Sequence, residues 1–176
     1  MLGILNHSAT IHALKLWRVT LSVLLVSSLA FATGKEQADR IVILKSKRSL
    51  TLMSGDKVLK TYLVALGGKP VGPKERQGDH KTPEGSYVID QKNAHSQFHL
   101  SLHVSYPSAV DRAKARKMRV SAGGDIMIHG LPPSFSKLGA LHRQVDWTDG
   151  CIAVTDQEIE EIWAVVPVGT KVEIKP

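Results

Sequence analysis

Short runs in which apolar and polar residues alternate predict a chain built mainly from β-strands. Alternation with a period of two places apolar side chains on one face of a sheet, and turn residues separate such runs. The stretch 67–73, rich in glycine and proline, predicts one of the longer loops. Seven segments fit a strand by alternation or by a short β-branched apolar run: 40–45, 49–53, 58–66, 86–91, 98–104, 125–129 and 171–174.

Helices are predicted in two places. Thr155 and Glu158 form a capping box, and Pro167 ends the apolar stretch that follows it. Residues 109–118 are a second, short candidate. Many strands with one or two short helices predict a mostly β fold, an antiparallel sandwich or barrel-like sheet. One face of the longer helix carries its apolar side chains: Ile159, Ile162, Trp163 and Val166.

The first 32 residues have the composition of a secretory signal peptide. They contain no Asp or Glu, and their fixed charges are Lys15 and Arg18. An apolar run over 19–31 then ends in an Ala-Phe-Ala cleavage pattern at 30–32. The run is shorter than the ~20 residues of a membrane span. We expect export to the periplasm or cell envelope with no stable membrane insertion after cleavage; an uncleaved anchor is the alternative.

The remainder is long enough for one domain with a core. We expect a short linker over 33–39 and a single catalytic domain over 40–176. Losing 1–32 lowers the formal net charge from +7 to +5, which suits an anionic polymer such as the cell wall or simple solubility. We expect a monomer without a cofactor. The few aromatic residues and the lack of a basic stripe argue against nucleic acid, and the densest basic cluster fits a solvated face: Arg112, Lys114, Arg116, Lys117 and Arg119.

Cys151 is the only cysteine in the chain. A single cysteine cannot form an intramolecular disulfide, so it is a small buried residue, an intermolecular link or a nucleophile. A thiol with a pKa near 8.5 needs a basic neighbour to work as a nucleophile at neutral pH. His129, upstream of a glycine-flanked cysteine, could supply that base.

The residues around Cys151 resemble the active-site signature of the L,D-transpeptidase (YkuD-type) family, which are cysteine acyltransferases of the bacterial cell wall. The resemblance rests on His-Gly at 129–130, followed after a spacer by Thr-Asp-Gly-Cys at 148–151. Lys-Thr-Pro-Glu-Gly-Ser-Tyr-Val-Ile at 81–89 resembles the family's strand entry, and 168–174 resembles its closing strand. The resemblance covers about residues 40–176 and implies the family's mostly β fold.

The resemblance implies a role for each residue of the signature. Cys151 is the nucleophile, His129 is the general base and acid, and the backbone carbonyl of Gly130 orients His129. Peptidoglycan stem peptides are the implied substrate, and no metal is expected in the site. We expect four further residues to contact the substrate: Trp147, Thr148, Asp149 and His80.

The glycine beside the nucleophile could place backbone N–H groups around the reacting carbonyl. If Gly150 and Cys151 lie on a tight turn, consecutive N–H groups can bind the oxyanion of a tetrahedral intermediate. The N-terminal end of the helix that begins near Thr155 would then lie close by and favour the thiolate. We therefore assign Gly150 to the oxyanion hole.

The chain departs from the family pattern in three ways. Asp149 stands where a second histidine is usual, Ala153 stands where an arginine often follows, and the spacer between His129 and Cys151 is slightly long. An acidic residue two positions before the thiol opposes the thiolate unless it is paired. Asp149 either contacts the amine-bearing end of the substrate or caps a local loop.

Other histidines invite alternative interpretations. The spacing of His95, His99 and His103 would suit zinc on a helix, but the segment alternates like a strand and lacks a metal motif. His142 lies in the spacer, which could form a flap over the site.

Three functions from different classes follow. The first is an exported L,D-transpeptidase that cross-links or remodels peptidoglycan through a Cys151 thioester. The second is an L,D-carboxypeptidase or amidase in which water hydrolyses the same thioester. The third is a non-catalytic peptidoglycan-binding module, which the intact Cys151, His129 and Gly150 disfavour.

Overall fold

Eight β-strands form one curled, mixed sheet in the computed structural model, which describes residues 35–176. Their order across the sheet is β3-β2-β1-β8-β4-β5-β6-β7. The predicted signal peptide at 1–32 lies outside the described residues. The strands are β1 (Arg40–Leu44), β2 (Ser49–Ser54), β3 (Lys57–Leu63), β4 (Gly85–Ser96), β5 (His99–Val104), β6 (Met127–His129), β7 (Ile152–Ala153) and β8 (Lys171–Lys175).

Both predicted helices form, each behind a capping box. Helix α1 (Ala109–Lys117) is capped by Ser108, and helix α2 (Asp156–Val165) is capped by Thr155. Two 3₁₀ segments, Lys45–Lys47 and Ser136–Gln144, were not predicted. No helix in the part of the chain that the structure describes is long and apolar enough to cross a membrane.

The mostly β prediction is confirmed, and the antiparallel prediction needs one correction. Most neighbours pair antiparallel, but β1 pairs parallel with β8 and β6 pairs parallel with β7. Both parallel pairs join strands separated by long connections, as parallel pairing requires. All seven predicted strands are present, although the third ends at Leu63 rather than at residue 66. The two-residue strand β7 was missed because it is too short to show an alternation.

The core lies between the sheet and α2. Ile41 and Ile43 alternate with less buried residues along β1, as a strand with one buried face requires. Ile159 and Ile162 bury the apolar face of α2, which packs against β5 and β6. The packed domain begins before the predicted boundary at residue 40, because Ala38 is buried and its N–H donates to the Val165 carbonyl. Helix α2 thus supports β6, the strand that ends in His129.

Candidate active site

Strands β6 and β7 bring the predicted base and nucleophile to one place. Ile128 pairs with Ile152 and His129 pairs with Ala153, so Cys151 lies directly before β7 and beside the end of β6. The Met127 N–H donates to Cys151 Sγ over 3.4 Å. The thiol lies 3.5 Å from the backbone carbonyl oxygen of Asp125, to which it donates.

Cys151 and His129 line the same open cavity, which has a volume of about 380 Å³. The tip of the β4–β5 hairpin forms the opposite wall and contributes mostly polar side chains. Sequence patterns gave no signal for these residues, because their approach depends on the curl of the sheet. The wall consists of Asn93, His95, Ser96, Gln97, Phe98 and Ser101.

The imidazole of His129 is buried and held in one orientation. Its Nδ1 lies 2.7 Å from the backbone oxygen of Gly130, the carbonyl that the family resemblance implied. Because a carbonyl only accepts, the proton of the neutral ring sits on Nδ1 and Nε2 keeps its lone pair. Burial lowers the pKa of His129, and the Gly130 carbonyl opposes that shift. The geometry therefore provides a neutral imidazole with a free acceptor nitrogen.

Two aromatic side chains pack on this imidazole. The Phe98 ring centre lies 4.5 Å from that of His129, and the Trp147 ring centre lies 5.9 Å away. Trp147, predicted to contact the substrate, also packs on Phe135 and donates from Nε1 to Nδ1 of His142. Trp147 therefore supports His129 from the protein side, and Phe98 was missed because its apolar character resembled that of any strand residue.

The turn after His129 is fastened to helix α2. The Leu131 N–H donates to Oδ1 of Asp156 over 2.8 Å. A Cβ on Gly130 would lie 2.7 Å from that oxygen and 2.9 Å from the Phe98 carbonyl oxygen, so the position accepts no side chain. Asp156 is thus a positioning residue that the capping pattern did not reveal.

The loop before Cys151 is braced by Thr148. Its hydroxyl donates to the Cys151 carbonyl over 2.8 Å and accepts from the Gly150 N–H over 3.1 Å. Thr148 is buried and its hydroxyl bonds inside the loop, so its contact with substrate stays a prediction. Because the Gly150 N–H already has a partner, its place in an oxyanion hole stays a prediction that requires this bond to be shared or released.

Gly150 itself is required by the backbone. Its φ is +129°, a conformation that side-chain-bearing residues rarely adopt, and a Cβ there would lie 2.5 Å from the Lys81 carbonyl oxygen. The segment that follows the 67–73 loop therefore packs directly against the nucleophile loop.

The surroundings of Cys151 favour the protonated thiol. Burial raises the pKa of Cys151 to about 11, and the charges of Asp149 and Asp125 act in the same direction. The Met127 N–H and Lys74 lower the pKa by less. Removing the sulfur from water therefore outweighs the contacts that favour the thiolate.

Asp149 and His80 meet although they lie far apart in the sequence. Asp149 Oδ1 lies 2.6 Å from His80 Nδ1, while the Asp149 side chain keeps 89% of its surface exposed. Both residues were predicted to contact the substrate, and the structure places them together beside the loop of Cys151. The Asp149 side chain thus bonds to a residue of another loop, and its contact with substrate stays a prediction.

Three other histidines make contacts that do not involve Cys151. His99 pairs with Glu160 at 2.7 Å and His103 pairs with Asp90 at 2.5 Å, both at the surface. Between residues 35 and 176, no group of three metal-binding side chains comes together. His142, in the 3₁₀ segment of the spacer, is buried beside Trp147 with Nε2 unpartnered, and burial lowers its pKa to about 4.

The surroundings of Ala153 explain why this chain lacks the arginine that often follows the cysteine in the family. Its side chain is fully buried, and its backbone exchanges hydrogen bonds with Ala65. A charged side chain there would have to be buried without a partner, which costs several kcal/mol.

This domain matches a known protein family and curated relatives in sequence. The family model described as the L,D-transpeptidase catalytic domain (YkuD) matches residues 38–174. The Escherichia coli (strain K12) protein named "Putative L,D-transpeptidase YafK" is 33% identical over 132 residues, which is 72% of this chain and 46% of that protein. The chain therefore spans about half the length of the curated relatives that it matches.

Solved structures share the fold. The helical cell shape determining protein Pgp2 from Campylobacter jejuni aligns with a TM-score of 0.60 and 22% identity, over 80% of this chain and 48% of that one. Bd1075 from Bdellovibrio bacteriovorus aligns with 0.55 and 22%, over 82% and 50%. An L,D-transpeptidase from Mycobacterium smegmatis aligns with 0.51 and 14%, over 79% and 59%. At these identities the likeness supports the fold alone.

Proposed function

The chain belongs to the L,D-transpeptidase catalytic-domain family, and we propose that it is an exported cysteine acyltransferase acting on peptidoglycan stem peptides. One observation carries the proposal. Cys151 and His129 lie on adjacent strands and line one cavity, and the Gly130 carbonyl holds the imidazole so that Nε2 can accept a proton. An inert core cysteine needs neither an open cavity nor an oriented base beside it.

In the first half-reaction, Cys151 Sγ attacks the amide carbonyl carbon of an L-centre that precedes a D-amino acid. His129 Nε2 takes the thiol proton as the C–S bond forms. The tetrahedral intermediate then breaks its C–N bond, and His129 gives the proton to the departing amine. The D-amino acid leaves, and the rest of the stem stays on Cys151 as a thioester.

In the second half-reaction, an amine attacks the thioester carbonyl. His129 accepts a proton from the amine, a new amide forms, and the sulfur leaves and regains a proton. A second stem as acceptor yields a cross-link, and a free D-amino acid yields an exchanged stem. Water in place of the amine yields a hydrolysed stem.

The protonation states of the pair suit this sequence of events. Burial raises the pKa of Cys151 and lowers that of His129, so the pair rests as thiol and neutral imidazole. The proton is therefore transferred during the attack rather than before it. Donors at the oxyanion typically lower such a barrier by ~3 kcal/mol, and backbone N–H groups at Gly150 and Cys151 are the proposed source.

The acceptor is the part of the proposal that the signature specifies least. Asp149 and Ala153 replace the residues that usually accompany the cysteine, so an amine and water compete at a surface that differs from the common pattern. Hydrolysis, as an L,D-carboxypeptidase or amidase, is therefore the second candidate function.

A product assay tests the proposal. Purified protein is incubated with disaccharide tetrapeptide, with and without a free D-amino acid, and products are identified by mass spectrometry. Exchanged or cross-linked stems support acyl transfer, and shortened stems alone support hydrolysis. Cys151→Ala should form none of these products. Unchanged substrate with the wild-type protein, or the same products with Cys151→Ala, would contradict the proposed enzyme.

A further inference from the structure

Asp149 stands at the position where the family pattern usually has a histidine, and it contacts His80. This contact joins Asp149 of the nucleophile loop to His80 of a loop 69 residues away, with 2.6 Å between Oδ1 and Nδ1. The Asp149 carboxylate is exposed to solvent, so a ligand bound beside the Cys151 loop can reach it without displacing the protein around it.

The backbone holds this pair against the nucleophile. A Cβ on Gly67 would lie 2.4 Å from the His80 carbonyl oxygen, which also accepts the Lys69 N–H over 2.9 Å. On the other side of the contact, Gly150 packs against the Lys81 carbonyl. Two close backbone approaches therefore flank the pair and fix the backbone of residues 80–81 against the Cys151 loop.

Fixed charges around the thiol are predominantly negative. Asp149 and Asp125 both disfavour the Cys151 thiolate. Lys74 acts in the opposite direction, but its ammonium group is buried and paired with Asp79 at 2.8 Å. The imidazole of His129 is neutral when burial lowers its pKa. A basic chain with a net charge of +7 therefore has predominantly acidic surroundings at its candidate nucleophile.

We propose that Asp149, held in place by His80, is a specificity-determining residue that selects ligands carrying an ammonium group beside the bond that Cys151 attacks. The inference rests on the proposed function for the nature of the ligand, a peptide or an amine acceptor. The carboxylate attracts the cationic group and repels an anionic one, and His80 keeps the carboxylate beside the Cys151 loop.

Charged thiol reagents test this selection without needing turnover. Alkyl methanethiosulfonates that carry a trimethylammonium or a sulfonate group react with the Cys151 thiolate. The sulfur attacks the sulfenyl sulfur, a mixed disulfide forms, methanesulfinate leaves and the thiol proton goes to solvent. Because the chain has one cysteine, the reaction reports on this site alone. Rates are measured at pH 8.5, where ordinary imidazoles are neutral, and each is divided by the rate with N-acetylcysteinamide.

The wild type should prefer the cationic reagent, and Asp149→Asn should lower the cation-to-anion ratio by roughly two- to sevenfold, the order of effect of one charge that lies within a Debye length of the reacting sulfur. His80→Ala should lower the ratio part of the way, because the carboxylate is no longer tethered. Asp90→Asn, which removes the carboxylate of another surface His–Asp pair, on strand β4 rather than on the Cys151 loop, is the matched control and should leave the ratio unchanged.

An unchanged ratio in Asp149→Asn, or an equal drop in Asp90→Asn, would overturn the selection. A wild-type ratio in His80→Ala would overturn the positioning role of His80. These outcomes are distinguishable from failure of the proposed function, which would appear as an intact reagent preference in a protein that converts no stem peptide.

Discussion

The resting protonation state of Cys151 is the most demanding prediction of the site. Burial of the sulfur, together with the nearby carboxylates of Asp149 and Asp125, raises its pKa to about 11. Raising the pH of the folded protein should therefore increase thiol reactivity without a plateau below about pH 10. Unfolding the same chain in urea exposes the sulfur to water and should return its pKa to near 8.5.

The expected difference in rate follows from the two pKa values. At pH 7.5 a thiol with a pKa of about 11 is ionised to roughly 3 parts in 10,000, against roughly 1 part in 10 for an ordinary cysteine. The thiolate fraction is thus about 300-fold smaller in the folded state. A more basic thiolate is more nucleophilic, and a Brønsted coefficient of about 0.45 restores a factor of roughly ten. Folded Cys151 should react about 20- to 30-fold more slowly than the unfolded chain.

The assay follows 4,4′-dithiodipyridine, a neutral disulfide that releases a chromophore, between pH 5 and 9.5. Steric hindrance in the cavity scales the whole profile but does not move its midpoint. The folded protein should show a tenfold rise in rate per pH unit up to pH 9.5, and the urea-unfolded protein should level off near pH 9. A folded-state plateau near or below pH 7 would refute the reasoning and indicate a resting thiolate–imidazolium pair.

Three further predictions address the backbone, the base and the response to acid. Gly150→Ala should abolish activity and lower the free energy of unfolding, measured in urea, by about 2 kcal/mol or more, because the added Cβ would meet a backbone carbonyl. Gly139 also has a positive φ but faces open space, so Gly139→Ala should lower the free energy of unfolding by about 1 kcal/mol and keep activity. His129→Ala should lower kcat/KM by about 10²- to 10⁴-fold, whereas His99→Ala should lose less than about threefold; equal losses would mean that the base is misplaced. The stability that the neutral, buried His142 contributes is present above the ordinary histidine pKa and is lost as the pH falls toward about 4. Between pH 7.5 and 4.5 the wild type should lose about 2.5 kcal/mol more than His142→Gln, and identical pH dependence in urea melts would contradict this.

Local sequence patterns predicted much of this fold because its strands alternate. Ile41 and Ile43 bury one face of β1 as the pattern requires, and Thr155 begins α2 through its capping box. The parallel pairing of β1 with β8 joins the two ends of the domain, and no local pattern records such a contact. Strand β7 was invisible because two residues cannot show a period.

The residues of the candidate site could also be predicted only in part from the sequence. Cys151 and His129 could be found because their residue types and spacing carry the family signature. The hydrogen bond from His80 to Asp149 and the packing of Phe98 on His129 depend on tertiary approach, so the sequence did not predict them. The raised pKa of Cys151 could not be predicted either, because burial of the sulfur is a property of the folded chain.

The formation of a covalent intermediate on Cys151 tests the central claim most directly. The protein is mixed with excess disaccharide tetrapeptide, quenched in acid within seconds and weighed intact by mass spectrometry. We predict a mass increase equal to the donor minus its terminal D-amino acid, located on the peptide that contains Cys151, removed by hydroxylamine as a thioester should be, and absent in Cys151→Ala. A wild-type protein that never carries this mass while it converts the substrate, or an adduct of the same mass in Cys151→Ala, would contradict the account.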